Sequence, residues 1–444
     1  MDLCVFTDEL LKAAAAGGIK AAEVYCREED SFSATAKDGA IENYEVSSTR
    51  SLSLRGSVGG RIGAASTEAF DEQAVAYLVE SVKESAALNE AEEQDEIFAG
   101  DPVYPDIPAE DDDLDSVSAK EKLALALRAE EAARKADPRI VQTEGAMLST
   151  HTSRVLLRNT FGLNLENVSR LYVAYVLPIA KDNGATATGF KLSYGRKLRD
   201  LDPEKLGRDA AADTLSQLHA EPVLSGEYRV IFRYDAMQSL LQTFCGIFSG
   251  ENAQQKLSLL AGREGEEIAS PLITVMDDPL LPGGLATSAF DGEGSASRTK
   301  AVVEKGVLKT LLHNRRTAKK QGVETTGNAR RAGRMDVAPT NFYIVPGDRP
   351  LKDMLQEMGN GLLITDVSGL HAGANPISGD FSLLSKGFVV RDGEQAEPVE
   401  RVTVAGNYYQ LLKAVRAVGS DLEFPGSSIG CPSLDVGTLT VSGK

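Results

Sequence analysis

Metal-binding patterns are the first thing the 444-residue chain lacks. It has four histidines, His151, His219, His313 and His371, and none stands three to five residues from another. H-E-x-x-H and its spaced variants are therefore absent, as is any Cys2His2 arrangement. The four cysteines, Cys4, Cys26, Cys245 and Cys431, lie far apart without a C-x-x-C, which suits reduced thiols better than a disulfide framework. No run approaches the roughly 20 apolar residues needed to span a bilayer. The opening "MDLCVFTDELLKAAAAGGIK" has no basic region ahead of an apolar core, so it reads as neither signal peptide nor anchor. No phosphate-binding G-x-x-x-x-G-K-[ST] and no dinucleotide fingerprint occurs. Blocks of Lys and Arg are missing too. With a net charge of -18 and a pI near 4.8, nucleic acid is an unsuitable partner, because binding a polyanion needs clustered cations. The expectation is a cytoplasmic protein without membrane, nucleic acid or cofactor.

What is present fills two or three domains at roughly 150 residues each. Hydrophobic residues make up 42% of the chain, enough for large cores. Residues 6 to 17 read as a helix. Short alternating segments follow ("AAEVYCRE", "SFSATAK", "AIENYEV", "SLSLRG"), with hairpin signals at Asp38-Gly39 and Gly59-Gly60. A helix is predicted near 69 to 88. Residues 89 to 115 then carry twelve acids and no Lys or Arg, which reads as a solvated, Pro-punctuated connector. Ser118 and Glu121 form a capping box for the next helix, which Pro138 ends; strand-like runs and a helix at about 203 to 219 follow. Helix, antiparallel meander, helix thus appears twice. From "GEYRVIFR" at 226 onward, short strands separated by Gly and Pro suggest a barrel or sandwich. The fold class is α+β. An N-terminal helix and antiparallel-sheet domain (1–222, read as two related units, with an acidic connector at 89–117) precedes a β-rich, barrel-like or sandwich domain (223–444).

Candidate chemistry is sparse. "GSSIG" at 426 to 430 matches the nucleophile elbow around Ser428, but no histidine follows position 371, as an α/β-hydrolase requires. Cys245 sits in the apolar helix "LLQTFCGIFSGEN" and reads as a small core residue. Asp277, Asp278, Asp291 and Glu293 could hold a hard cation, or equally form polar turns. "TTGNARR" sets Thr326, Gly327 and Asn328 beside Arg330 and Arg331, ahead of a strand that begins near Asn341. Its backbone donors and guanidinium forks suit the gripping of a carboxylate or peptide. The competing reading pairs the arginines with acids such as Asp291 or Glu293.

The motifs "FSGENAQQKLSLL", "MDDPLLPGG", "FDGEGSASRTKAVVEKGVLKTLLHN", "TTGNARR", "PTNFYIVPGD", "ISGDFS" and "AGN", in that order, resemble the TldD/PmbA family, once labelled modulators of DNA gyrase. The likeness is to its TldE/PmbA branch. In the TldD branch the helix at 240 to 252 carries H-E-x-x-x-H, and a cysteine near the C-terminus helps hold zinc. Those positions fall on Gln242, Thr243 and Ile247 here, so the resemblance implies a degenerate metal site with no metal and no catalytic residue. It also implies a non-catalytic subunit of a two-chain peptidase, paired with a zinc-bearing TldD-like paralogue and acting on small or unfolded peptides. Alone, such a subunit is expected to form a homodimer. The competing functions are a stand-alone hydrolase with a carboxylate-bound site and an interaction protein acting on gyrase.

Overall fold

The computed structural model describes residues 3–90, 96–108 and 113–444. The N-terminal part runs α1 (Leu3–Ala16), β1 (Ala21–Lys37), β2 (Ala40–Val58), β3 (Arg61–Thr67) and α2 (Glu72–Leu88). A second series repeats the plan: α3 (Ala119–Ala136), β4 (Ile140–Asn159), β5 (Asn164–Asp182), β6 (Ala185–Thr188), β7 (Lys191–Gly195) and α4 (Pro203–Ser216). The strands make one antiparallel sheet in the order β3-β2-β1-β4-β5-β6, with β7 also on β5. The two meanders join where β1 pairs with β4, from Glu23↔Asn159 to Ala36↔Ala146.

The tight turns fall where the sequence put them. Asp38 and Gly39 take φ of 52° and 76°, and Gly59 and Gly60 take 58° and 84°, the left-handed values that a two-residue hairpin demands. The capping box is also present, with the Ser118 hydroxyl accepting from the Glu121 N–H and the Glu121 carboxylate accepting from the Ser118 N–H. The strands differ from expectation in length. "AAEVYCRE" and "SFSATAK" are one 17-residue strand, β1, and β2 and β4 span 19 and 20 residues. Polar interiors such as Glu29-Asp30-Ser31 do not end a strand that has neighbours on both sides; their backbones pair with β2 and β4 throughout.

The helices bury one face of this sheet. Phe6 and Leu10 of α1 and Leu78 and Val82 of α2 pack on Val24 and Leu54. Ala126, Ala129 and Ala133 of α3 and Leu206 of α4 pack on Leu148 and Ala174. Small residues let α3 and α4 approach closely; a Cβ on Gly207 would lie 2.3 Å from the carbonyl oxygen of Ala129.

The acidic connector requires a correction. Its described central stretch is not a solvated tether but a strap docked on both parts of the chain. Ile97 is buried, and the ring of Phe98 lies 3.6 Å beneath the Arg315 guanidinium. The Asp101 carboxylate accepts from the Ala296 N–H at 2.6 Å, and the Tyr104 hydroxyl donates to the Gly294 carbonyl at 2.7 Å. Further on, Asp113 accepts from the N–H groups of Leu198 and Arg199. The few apolar residues and the turn-forming Gly and Pro outweigh the charge run. Part of that run, at 91–95 and 109–112, lies outside the described residues.

From residue 226 the order is β8 (Gly226–Phe232), α5 (Tyr234–Phe244), α6 (Gly250–Gln254), β9 (Val275–Asp277), β10 (Lys300–Glu304), β11 (Val307–Leu308), α7 (Arg315–Gln321), β12 (Ala329–Ala332), β13 (Arg334–Val337) and β14 (Phe342–Ile344). Then come α8 (Leu351–Met358), β15 (Gly361–Ser368), α9 (Leu370–Gly373), β16 (Asp380–Arg391), β17 (Glu394–Asn407), α10 (Tyr408–Ala414), β18 (Ala417–Val418), β19 (Ile429–Gly430) and β20 (Leu434–Ser442). Strands β17-β16-β15-β8-β20 run side by side, and β20 pairs back onto β17. The result is a closed barrel, one of the two alternatives the turn-rich sequence offered. A second sheet, β11-β10-β9-β14-β19, stands beside it, and β12 and β13 form a separate hairpin. Helix α5 shares the barrel's core. Its Met237, Leu240, Leu241 and Phe244 are buried with Val230, Phe342, Ile364 and Val404.

Candidate functional site

Helix α5 ends at Phe244, and the chain tightens into a 3-10 turn over Cys245–Phe248. This change of pitch separates Gln242, Thr243 and Ile247, the positions on which the resemblance sets the metal ligands. Gln242 is exposed and its side-chain oxygen accepts from the Gln238 amide at 2.8 Å. Thr243 donates its hydroxyl to the Ser239 carbonyl, one turn back, at 2.8 Å. Ile247, only 1% exposed, belongs to the main core cluster. An amide, a hydroxyl bonded to its own helix and a buried sec-butyl group do not fit a zinc ion. Among the described residues, no group of three or more His, Cys, Asp or Glu side chains is arranged to hold a metal.

Beside this turn lie groups that the sequence did not connect. Tyr408, at the start of α10, stacks on Phe244 with ring centroids 4.5 Å apart. Among the described residues its buried hydroxyl has no hydrogen-bond partner, and burial raises its pKa well above the ordinary phenol value, with Cys431 and Cys245 adding to the rise. Cys245 donates its thiol to the Gln242 carbonyl at 3.1 Å, and burial pushes its pKa up to about 11. Cys431 is fully buried, and burial likewise raises its thiol well above the ordinary value. Burial therefore favours the protonated thiol at both positions, which argues against a ready nucleophile.

The four candidate carboxylates are already engaged by the chain itself. Asp277, fully buried at the end of β9, pairs with Lys300 Nζ at 2.7 Å and accepts from the Asn328 amide at 2.8 Å. Its other oxygen accepts from the Thr340 N–H and hydroxyl at 2.6 and 2.9 Å. Lys300 also donates to Asn328 Oδ1 at 3.0 Å, so this knot is closed. Asp278 takes the Leu280 N–H and the Thr299 hydroxyl. Asp291 accepts the N–H groups of Glu293, Ser295 and Ala329 at 2.9 to 3.0 Å, and burial still pushes its pKa up to about 6. Glu293 accepts from the Arg315 N–H at 2.9 Å, at the start of α7. The polar-turn reading of these residues describes the observed bonds.

The "TTGNARR" segment is likewise tied in. Thr326 exchanges bonds with the backbone of His313, its hydroxyl donating to the carbonyl at 3.0 Å and accepting from the N–H. Gly327 turns the chain with φ of 70°. Asn341 donates to the Asp278 carbonyl at 2.8 Å and accepts from the Ala286 N–H at 2.9 Å. Arg330 forms a two-pronged pair with Asp336, directly across the β12–β13 hairpin, and remains exposed. Arg331 points the other way. It donates to the Gly292 carbonyl at 2.6 Å, pairs with Glu23 on β1 and stacks over Tyr25 at 4.6 Å. The arginines do find acids, but these are Asp336 and Glu23 rather than Asp291 and Glu293. Ser428 of "GSSIG" offers its backbone carbonyl to the Phe342 N–H at 2.8 Å, joining the loop to β14.

A closed barrel thus stands beside a seven-stranded antiparallel sheet that carries its helices on one face. Three family models match the chain in order: PmbA/TldA metallopeptidase domain 1 over 22–86, the central domain over 112–218 and the C-terminal domain over 225–443. The chain belongs to the PmbA/TldD family. It is 30% identical over 438 residues to metalloprotease PmbA of Escherichia coli O157:H7, covering 97% of this chain and 94% of that one. Among solved structures, a candidate modulator of a DNA gyrase from Thermotoga maritima superimposes with a TM-score of 0.93 at 32% identity, covering 99% of this chain and all of that one. TldE from Thermococcus kodakarensis, at 23% identity, shares the fold with a TM-score of 0.89 over 99% and 100% of the two chains.

Proposed function

We propose that this chain is the non-catalytic subunit of a cytoplasmic two-chain metallopeptidase, working with a zinc-bearing, TldD-like paralogue on small or unfolded peptides. The observation that carries the reading is Ile247. A metal-ligand position filled by a core side chain, next to a Gln and a Thr bonded within their own helix, leaves the scaffold intact and the chemistry to another chain. The family membership supports the metallopeptidase part of the reading, since the relatives bear metalloprotease names. Among the described residues no helix is long and apolar enough to cross a membrane.

Within that reading the chain works as two bodies, 1–222 and 223–444, and the "TTGNARR" edge grips the peptide. Arg330 makes the direct contact because its guanidinium is exposed. Thr326, Gly327, Asn328, Arg331 and Asn341 hold the edge in shape. Without its paralogue the chain pairs with itself around a two-fold axis, the commonest oligomeric arrangement.

The test is elemental analysis and peptide cleavage on the purified chain, alone and with the paralogue. The expected result is no stoichiometric zinc, no cleavage alone and cleavage on mixing. One tightly held zinc per chain, or cleavage by the isolated chain, would overturn the proposal.

A further inference from the structure

We infer that the free edge of β2, residues 40–51, is the surface by which two copies of this chain pair, strand against strand, around a two-fold axis through Val46. The inference deepens the self-association reading above and rests on it.

Strand β3 pairs with β2 only from Leu52↔Thr67 to Val58↔Arg61. Over its first twelve residues β2 has β1 on one side and, among the described residues, no strand on the other. Most side chains there are exposed, although Ile41 packs on the core beneath α3. Tyr44 and Val46 are 62% and 68% exposed, although their partners on β1, Ala34 and Phe32, are buried. The edge farther along is protected, because α2 lies so close to β3 that a Cβ on Gly63 would sit 1.9 Å from the Val82 carbonyl oxygen. An exposed strand edge is a template for pairing, and proteins ordinarily blunt it with Pro, Lys or bulges. Residues 40–51 contain no Pro or Lys, and their pairing with β1 is regular apart from a shift near the turn at Thr35/Ala36.

The occupant follows from register and charge. Outward-pointing N–H and C=O groups fall on alternate residues, so two identical antiparallel edges must set some residue opposite itself. Centred on Glu45, the pairing opposes two carboxylates. Centred on Tyr44, it sets Glu42 against Val46, and centred on residue 47 it sets Glu42 against Leu52, so neither gives Glu42 a cation. Centred on Val46, it sets Glu42 opposite Arg50 twice, Tyr44 opposite Ser48 and Glu45 opposite Ser47, with no like charges facing. Arg50 is held in place for this by Glu28 at 2.7 Å and by the Phe70 ring 5.0 Å away, and it has further donors to offer. The two sheets would then run on as one across the axis.

The test is mild oxidation of full-length chains carrying single cysteines, read as covalent dimer, with the unsubstituted chain as control and light scattering alongside. Val46→Cys should crosslink to itself in most chains. Tyr44→Cys and Ser48→Cys should crosslink to each other when mixed, and much less to themselves. Val46→Lys, a surface change, should weaken self-association at least about tenfold by facing two ammonium groups. A light-scattering dimer in which Val46→Cys does not crosslink overturns this interface while leaving self-association standing. A monomer across the micromolar range overturns both. Crosslinking only to an added paralogue or peptide would assign the edge to that occupant instead and overturn the self-pairing.

Discussion

Arg331 and Glu23 stand 308 positions apart in the chain and form one ion pair. The arginine leaves the β12–β13 hairpin, and the glutamate, 2% exposed, begins the part of β1 that pairs with β4. With Arg55 also reaching Glu23, at 3.4 Å, this buried carboxylate ties the sheet to the barrel-side hairpin.

Arg331→Gln should therefore act on stability. Removing one partner of a buried pair costs roughly 3–5 kcal/mol, and Arg55 can offset part of that, so a clear fall in melting temperature is expected. Arg330→Gln should behave differently. Its pair with Asp336 is exposed and contributes about 1 kcal/mol or less. A charged contact to peptide adds roughly 1.5–3 kcal/mol, so the Arg330 variant should keep its melting temperature while the proposed two-chain assembly binds peptide about tenfold or more weakly. Calorimetry and binding on the same two proteins separate these outcomes. Unchanged binding in the Arg330 variant would remove the peptide contact from the proposal.

Lys300→Met should be among the most damaging single changes. It leaves Asp277 fully buried, with hydrogen bonds but no counterion, for an expected loss of about 3–5 kcal/mol in chemical denaturation. Lys300→Met combined with Asp277→Asn should recover part of the loss, because the orphaned charge is gone. A double variant no more stable than the single would mean that the charge balance is not what holds the knot.

Stability between pH 4 and 6 should carry the signature of Asp291. Its folded pKa, about 6, lies above its ordinary value, so the folded state holds this proton more tightly than the unfolded chain. The group's contribution favours folding at low pH and is lost as pH rises through that window. Denaturant titrations at several pH values should show the unsubstituted chain losing stability relative to Asp291→Asn from pH 4 to 6, with a constant difference above pH 7. A difference that runs the other way would mean that the three N–H donors outweigh burial.

Gly207→Ala tests the close approach of α3 and α4. The added methyl meets the Ala129 carbonyl oxygen and the Ala133 N–H, so the helices must part. A loss of roughly 1–3 kcal/mol is expected, despite alanine's better helix propensity. A gain in melting temperature would show that the pair can slide apart freely.

Local chemistry made much of this fold legible. The turns at Asp38-Gly39 and Gly59-Gly60, the capping box at Ser118 and the helical spacing of α5 each depend on residues within a turn or two of one another. Strand continuity was not legible in β1, because Glu29-Asp30-Ser31 looks like an interruption until its neighbours on both sides are known. Nor was the strap, where Phe98 and Tyr104 are two contacts inside a run of acids. At the candidate site, the sequence sets an amide, a hydroxyl and an apolar side chain at Gln242, Thr243 and Ile247, with Ile247 on the apolar face of its helix. It could not say that Lys300 is the counterion of Asp277, or that Arg331 turns away to Glu23. Those pairings join segments far apart in the chain, and nothing in the spacing of either partner announces the other.

The barrel closes through β20, which lies between β8 and β17. Its first strand starts at Gly226 and its closing strand at Leu434, so during synthesis β8 emerges long before the neighbour that satisfies its second edge. Until then the growing chain carries an unzipped sheet over a large apolar core, and non-local pairing of this kind is slow to form. The interval between those two strands is where a ribosome-associated chaperone would be needed, and where a stalled or shortened product would be most prone to aggregate.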